Sequence, residues 1–369
     1  MKITLVISAL GCGGAERVLV LMAKGLIDRG HHLSVITLGN KETDFYQLPL
    51  GCSRLALGVM GQSSGLIDAL KNNINRISIL RKAVQSTDPD VVISFLQITN
   101  ITTILALLGT KYPLIVTEHN NIKVFSYGLL WDSLRRLTYP AATKVVSVSK
   151  GVDLSFDLLP ESKRAVIYNP IVVEDNGYLD PLPPEVDSEK HWLVSMGRLT
   201  YQKGFDSLLQ AFSKVAHKYP NWQLLILGKG ELEQELKQMR DDLGLSSNQV
   251  IFTGSLKNPF AVLKKAKFFA MASRNEGFPM AHGEALACGL PVIATDCPSG
   301  PNEMIRHELD GLLVPNQDIE ALTLAMDSIM SDEQKRQQLA AHAKEVTERF
   351  GLENIINQWE ILIKELIKK

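Results

Sequence analysis

Two glutamates eight residues apart, Glu276 and Glu284, frame the stretch EGFPMAHGE in the C-terminal third of the chain. A Gly-Phe-Pro turn follows the first, and Gly289 and Pro291 close the apolar run that holds the second. The spacing therefore predicts a loop at Glu276 and a helix through Glu284 to Cys288. Pro279 fits the first helical position, where its missing N–H is no loss. Glu276 then stands beside a helix N-terminus, whose free N–H groups favour an anion. Glu284 lies about a turn and a half further in. The two carboxylates cannot act on one atom, and paired glycosidase carboxylates normally come from well-separated segments. The arrangement suits hydroxyl binding on either side of a phosphate; the plain alternative is a pair of solvated helix charges.

Three further loops have chemistry-bearing residues. In MGRLTYQKGFDSLL, Arg198 and Lys203 stand five apart on a loop after an apolar run. A guanidinium fork plus an ammonium suits a pyrophosphate, although surface ion pairing explains many such pairs. Gly228-Lys229-Gly230 again ends an apolar run and opens a helical one, suiting close approach of a base or ribose. GCGGAERV, with Gly13 and Gly14, could bring backbone N–H groups to a phosphate or be a tight turn alone. It is no dinucleotide fingerprint: Glu16 occupies the third glycine position, and LSVITLGN ends without an acidic residue for a ribose. His119, in TEHNN, follows a fourth strand-like run.

The elements that must position these residues alternate from end to end. Ile3–Ser8, Leu33–Leu38, Val91–Phe95, Leu114–Thr117 and Lys144–Val148 read as short strands buried on both faces. Helical periodicity separates them, clearest where Ile67, Leu70, Ile74, Ile77, Leu80 and Val84 share a face. Residues 172–190, rich in Pro and acids and without period, read as a linker. Trp192–Met196, Trp222–Leu227, Val250–Phe252, Phe268–Ala272, Pro291–Ala294 and Gly311–Val314 then repeat the strand pattern. Two such series mean an α/β chain of two doubly wound, Rossmann-like domains, residues 1–175 and 176–351. The amphipathic helix 352–369 either caps the second or crosses back to the first. Ligands of such sheets bind beyond the carboxyl ends of the strands, and the expected site is a cleft between the domains.

At 369 residues, 45% hydrophobic and 21% charged, the composition is that of a globular protein with room for two cores. The net charge of −1 says nothing about nucleic acid, and no nucleic-acid partner is expected. Eighteen basic against twelve acidic residues make the first 170 positive, which fits an anionic surface or acceptor as well as chance. Cys12, Cys52, Cys288 and Cys297 form no C-x-x-C pair, so a reducing, cytoplasmic setting is expected. No apolar run reaches the roughly 18 residues needed to cross a bilayer. The start resembles a lipoprotein signal, but its apolar core is short and it reads as a first strand.

The order of these loops, with the glycine-rich CPSGP after them, resembles the family-four retaining glycosyltransferases of GT-B fold. The resemblance runs from Gly13 to Gly311-Leu312-Leu313-Val314, and EGFPMAHGEALACGLPVIATD is its specific part. CPSGP and EHNN look like transferases that extend lipid-linked glycans, more narrowly hexosamine transferases acting on polyprenyl-pyrophosphate sugars. The resemblance implies that Arg198 and Lys203 hold the donor diphosphate, Glu284 the ribose hydroxyls and Glu276 the donor sugar. It places Gly277, Phe278, Pro279 and Met280 at sugar and phosphate, and Gly13 and Gly14 at the pyrophosphate. Gly228 and Gly230 would line the base or ribose, and His119 would face the anomeric centre from the other domain. Two departures stand out: His282, where the family usually has an aliphatic residue, and Asn169-Pro170, where many members have Asn-Gly.

The activity so implied is transfer of a hexose or N-acetylhexosamine from a UDP-sugar, UDP-GalNAc among the candidates, to a lipid-linked saccharide. The new bond would be α, formed with retention and with no metal or cofactor; the residues show no His, Asp or Cys set with ligand spacing. Residues 122–139 mix Phe125, Leu129, Leu130, Trp131 and Leu134 with Arg135 and Arg136. They suit peripheral contact with an anionic membrane at its cytoplasmic face, or a pyrophosphate-linked lipid; the alternative is a surface helix packed on the core. The rival activities are a UDP-sugar 2-epimerase on the same architecture and a non-catalytic sugar-nucleotide binder.

Overall fold

The computed structural model describes every residue except 43, 62–64, 175–176 and 368–369, and residues 66, 67, 69 and 70 by backbone alone. The chain forms two compact units, Met1–Pro170 with Leu352–Lys369, and Ile171–Gly351.

The first unit is built on seven parallel strands: β1 (Lys2–Ile7), β2 (His32–Thr37), β3 (Ser53–Ala56), β4 (Val91–Phe95), β5 (Leu114–Glu118), β6 (Lys144–Ser147) and β7 (Arg164–Val166). Their order is β3-β2-β1-β4-β5-β6-β7, with Ile3 opposite Val91 and Ile115 opposite Lys144. Helices cover the faces, so every residue of Val91–Phe95 and Leu114–Glu118 is buried. That double cover explains their unbroken apolar runs. The edge strands β3 and β7 are short and only half-buried, and neither is an apolar run in the sequence.

The second unit repeats the plan with six parallel strands: β8 (His191–Met196), β9 (Trp222–Leu227), β10 (Val250–Gly254), β11 (Phe268–Met271), β12 (Val292–Asp296) and β13 (Gly311–Pro315). Their order is β10-β9-β8-β11-β12-β13. All six match strands expected from sequence, within two residues at each end. Among the described residues, 172–190 contain neither helix nor strand.

The helix Leu352–Ile367 returns to the first unit. It buries Ile355, Ile356, Trp359, Leu362 and Ile363, each worth roughly 1.5–3 kcal/mol against exposure. Gly25 leaves room for Ile356: a Cβ there would meet Ile356 Cγ1 at 2.5 Å. Arg29 donates to Glu353 at 2.8 Å and Glu360 at 3.0 Å, and His31 Nε2 lies 2.5 Å from Glu360. In the helix Leu66–Thr87 the expected stripe is buried at Leu80 and Val84 but exposed at Ile74. The Ile67 and Leu70 side chains lie outside the described residues.

Candidate sugar-nucleotide site

The strand order of the second sheet reverses between β8 and β11, and an open sheet forms its ligand crevice at such a reversal. The loops leaving these two strands hold Lys203 and Glu276. Lys203 Nζ donates to Glu276 Oε1 at 2.6 Å, and Ser273 Oγ donates to the same oxygen at 2.7 Å. Burial pushes the Glu276 carboxyl up, but Lys203, His282 and the Ser273 bond outweigh it and hold the group below the usual carboxylate range. Glu276 is therefore a carboxylate at neutral pH. Lys203 keeps two further N–H donors beyond this bond. Arg198 stands exposed on the same loop, its side chain without a partner among the described residues.

Backbone packing fixes that loop. Gly204 has φ +64°, and a Cβ there would lie 1.9 Å from the Ala272 carbonyl oxygen, so the position admits only glycine. Gly228 and Gly230 meet residues 197–199 in the same way. Added Cβ atoms would lie 2.0 Å from Gly197 O and 2.3 Å from Leu199 O. Leu199 N–H donates to Lys229 O at 3.0 Å. These two glycines are thus required for seating the Arg198 loop, whatever else approaches them.

A clasp that no sequence motif marks lies beside the ion pair. Arg274 binds Asp206 through two bonds, of 2.8 and 2.6 Å, and its guanidinium lies 3.9 Å over the Tyr201 ring. Arg274 N–H donates to Gln202 O at 2.8 Å. The β8 and β11 loops are therefore joined by backbone, side chain and ring. The signal was present in Ser273-Arg274-Asn275-Glu276, but its partners lie about 70 residues upstream.

The helix after Glu276 runs Met280–Ala287 and ends at Gly289, φ +87°. Pro279 is its N-cap rather than its first residue. Phe278 turns its ring into the interior against Phe350, centroids 5.1 Å apart. Glu284 is buried, four residues past Met280, little more than one turn into the helix. The loop after β12 lies on this turn: a Cβ at Gly300 would come 2.7 Å from Pro279 Cδ. The Ser299 hydroxyl donates to the Glu276 carbonyl oxygen. Gly277 is buried in that packing.

In the first unit the order reverses between β1 and β4. Gly13 caps the helix Gly14–Asp28, and the helix's own Glu16 folds back on it, so that a Cβ at Gly13 would meet Glu16 Oε2 at 2.3 Å. A carboxylate already occupies this first turn. After β4, Leu96 has φ +72° and ψ +140°, a region that side chains avoid and that gathers at functional turns. His119 follows β5, stacked on Phe95 at 5.8 Å with Nε2 3.1 Å from Thr117 Oγ1. Burial pulls its pKa down to about 4, so the ring is neutral at pH 7.

Its neighbour Glu118 points into the interior. The Tyr139 hydroxyl donates to it, and Asn100 Nδ2 donates at 3.2 Å. Burial pushes Glu118 up to about 7 against those bonds and the charge of Arg135. Arg135, expected at the surface beside Arg136, is instead 6% exposed and lies over the Phe156 ring. The helix Leu129–Thr138 turns that residue inward and leaves Leu129 (89%), Leu137 (77%) and Arg136 outside. Phe125, Trp131 and Leu134 are half-buried.

Asp88 and Asp90, on either side of Pro89, lie at the other end of the sheet. Asp90 accepts from the Lys2 N–H at 2.8 Å and Asp88 pairs with its Nζ at 3.3 Å. A surface cavity lined by Leu107–Leu114 and Thr143 is at the amino ends of β5 and β6, away from the loops described above. Among the described residues no three His, Cys, Asp or Glu side chains stand together as a metal site, and no helix is long and apolar enough to cross a membrane.

Comparison with known proteins gives the family. Residues 12–175 match the profile described as Glycosyltransferase Family 4, and residues 183–346 that described as Glycosyl transferases group 1. A Campylobacter jejuni protein is 31% identical over 368 residues, covering 99% of each chain. The chain belongs to glycosyltransferase family four. That relative is named GalNAc-alpha-(1->4)-GalNAc-alpha-(1->3)-diNAcBac-PP-undecaprenol alpha-1,4-N-acetyl-D-galactosaminyltransferase. A second from the same organism, an N-acetylgalactosamine-N,N'-diacetylbacillosaminyl-diphospho-undecaprenol 4-alpha-N-acetylgalactosaminyltransferase, is 27% identical over 95% of each chain. Among solved structures this glycosyltransferase superposes on sucrose-phosphate synthase of Thermosynechococcus elongatus, with TM-score 0.83, 18% identity and full coverage of both chains. It superposes on Anabaena HepE in complex with UDP and glucose with TM-score 0.78 and 20% identity, over 99% of this chain and 100% of that one. The fold is GT-B, two parallel-sheet α/β domains.

Proposed function

We propose that this glycosyltransferase moves a hexose or N-acetylhexosamine from a UDP-sugar to a saccharide on polyprenyl pyrophosphate, with retention and without a metal ion. The observation that carries the donor half is the Lys203–Glu276 pair at the reversal of the second sheet, with an unengaged Arg198 on the same loop. Two cations and a helix N-terminus suit a diphosphate, and an ionised Glu276 suits a sugar hydroxyl. Glu284 takes the ribose hydroxyls in this reading, and the 277–280 backbone takes sugar and phosphate. The lipid-linked acceptor rests on the two Campylobacter relatives, whose names specify undecaprenol-linked glycans.

The chemistry follows from these groups. The bond from the anomeric carbon to the β-phosphate oxygen breaks, and its electron pair leaves with UDP. Arg198, Lys203 and the helix end stabilise the charge that develops there. The acceptor hydroxyl oxygen bonds to the anomeric carbon on the same face, and its proton passes to the departing phosphate oxygen. His119, neutral, works through a hydrogen bond or its backbone carbonyl rather than by charge. Leu129, Leu130 and Leu137 beside Arg136 supply an apolar, cationic face for the membrane or the polyprenyl acceptor.

Calorimetry with UDP tests the donor half. Wild-type protein is expected to bind UDP, and Arg198→Ala to weaken it by about tenfold or more. Equal binding by both removes Arg198 from the diphosphate site, and binding by neither removes the nucleotide reading.

A further inference from the structure

His119 follows the last residue of β5 and is half-buried, with its Nε2 3.1 Å from the Thr117 hydroxyl oxygen. That hydroxyl has a second neighbour: it donates to the Ser94 carbonyl oxygen of β4 at 3.0 Å. A carbonyl has no proton to give, and a threonine hydroxyl has one. The Thr117 proton is therefore committed to Ser94, and its oxygen is left to accept. Both contacts are made at once only when His119 Nε2 has the hydrogen and donates it to Thr117. The bond made by one ring nitrogen in this way fixes the state of the other.

The surroundings hold this arrangement in place. Ser94, Asn100 and Thr117 are all buried. Asn100 Nδ2 donates to the Thr117 carbonyl oxygen at 2.8 Å, and Asn100 Oδ1 accepts from the Ser94 hydroxyl at 2.7 Å. The ends of β4 and β5 are thus tied to one helix residue. Strand pairing sets Phe95 opposite Thr117, and the His119 ring stacks on Phe95. Valine would suit a buried strand as well as threonine does, without a hydroxyl to satisfy, so strand packing alone does not call for Thr117.

Burial keeps the ring neutral at pH 7, and a neutral imidazole has one N–H. With that N–H on Nε2, Nδ1 is a bare acceptor, and it makes no hydrogen bond among the described residues. Phosphate and carbonyl oxygens are acceptors too and find no proton there. We propose that Thr117 is a positioning residue, which fixes His119 in its Nε2–H tautomer so that Nδ1 accepts a hydroxyl of the transferred sugar. The inference deepens the proposed function and rests on its reading of His119 as a group that meets that sugar. It removes the diphosphate from the groups that the His119 ring can hold.

The test uses the full chain with Thr117→Val, which replaces the hydroxyl by a methyl, and Thr117→Ser, which keeps it. Thr117→Ala carries the test if Thr117→Val does not fold. Proton–nitrogen NMR of histidine-labelled protein at neutral pH reads the tautomer, the His119 signal being identified by its loss in His119→Ala. Donor kinetics and UDP calorimetry are run on the same proteins. The expected result is an Nε2–H ring in wild type and in Thr117→Ser, and a mixture of tautomers in Thr117→Val. Thr117→Val is expected to lower donor kcat/KM about tenfold with unchanged UDP binding, and Thr117→Ser to recover most of that loss. A wild-type ring with its hydrogen on Nδ1 overturns the inference and leaves sugar transfer standing. So does a Thr117→Val protein that keeps either the wild-type tautomer or the wild-type kinetics. Wild-type donor kinetics in His119→Ala overturn the placing of His119 at the sugar, and the inference with it.

Discussion

Lys203 Nζ and Glu276 Oε1 are 2.6 Å apart, joining two loops 73 residues apart in sequence where the second sheet reverses its strand order. The pair is largely shielded, with 23% and 6% of the two side chains exposed. Breaking one side of such a pair strands the other charge. Glu276→Gln is expected to lower stability by about 1–3 kcal/mol and to reduce turnover by about 100-fold or more. Chemical denaturation and steady-state kinetics read the two effects. A variant of unchanged turnover takes Glu276 out of the reaction.

The Arg274 clasp makes a second, separable prediction. Lysine in its place keeps the charge but loses the two-bond fork to Asp206 and the plane stacked on Tyr201. Arg274→Lys is expected to cost about 1–2 kcal/mol and to raise the donor KM, because the β8 and β11 loops lose their tie. Thermal unfolding and donor titration check it; full stability in the variant contradicts the assigned role.

Glycines of similar backbone angle separate strain from crowding. Gly204 and Gly244 have φ of +64° and +72°, but only Gly204 faces a carbonyl, 1.9 Å from an added Cβ, while Gly244 has nothing within 4 Å. Gly244→Ala is expected to cost about 1 kcal/mol of backbone strain. Gly204→Ala is expected to cost clearly more and to displace the loop that holds Lys203. Equal melting temperatures for the two variants would contradict the packing described.

The pH dependence of Glu118 has a definite sign. Its carboxyl is raised from 4.5 to about 7 by burial. Below pH 4.5 folded and unfolded chains both hold the proton. Between there and about 7 only the folded chain does, so its contribution to stability is lost as pH rises through that window. Glu118→Gln, which has no proton to lose, is expected to gain stability relative to wild type from pH 5 to pH 8. Urea melts at the two pH values read the difference, and a difference that is flat or of opposite sign refutes the assignment.

Much of the architecture was legible because parallel strands buried on both faces are written as unbroken apolar runs, as in Val91–Phe95 and Trp222–Leu227. The edge strands β3 and β7 have one side in solvent and no such run, so nothing marked them. Arg135 and Ile74 show the limit of periodicity: it groups residues on a face but does not say whether a buried ring such as Phe156 awaits an arginine, or whether the core extends to an isoleucine. The loops at the carboxyl ends were placed by the strands before them, which is why Lys203 and Glu276 could be named. Their bond could not be, since it depends on which strands become neighbours. Gly228 and Gly230 suggested a ligand, but the atoms that press on them are those of Gly197 and Leu199. Leu96 left no trace at all, because a leucine does not announce a positive φ.

The central claim is sugar transfer onto a lipid-linked acceptor, and single-turnover transfer tests it most directly. Purified protein is offered each UDP-sugar with a fluorescent polyprenyl-pyrophosphate saccharide, beside Arg198→Ala. The expected result is a lipid-linked product longer by a sugar in α linkage, with one UDP released per sugar, and no product from the variant. A β-linked product contradicts retention, and UDP-sugar bound with no lengthened lipid-linked product contradicts the acceptor.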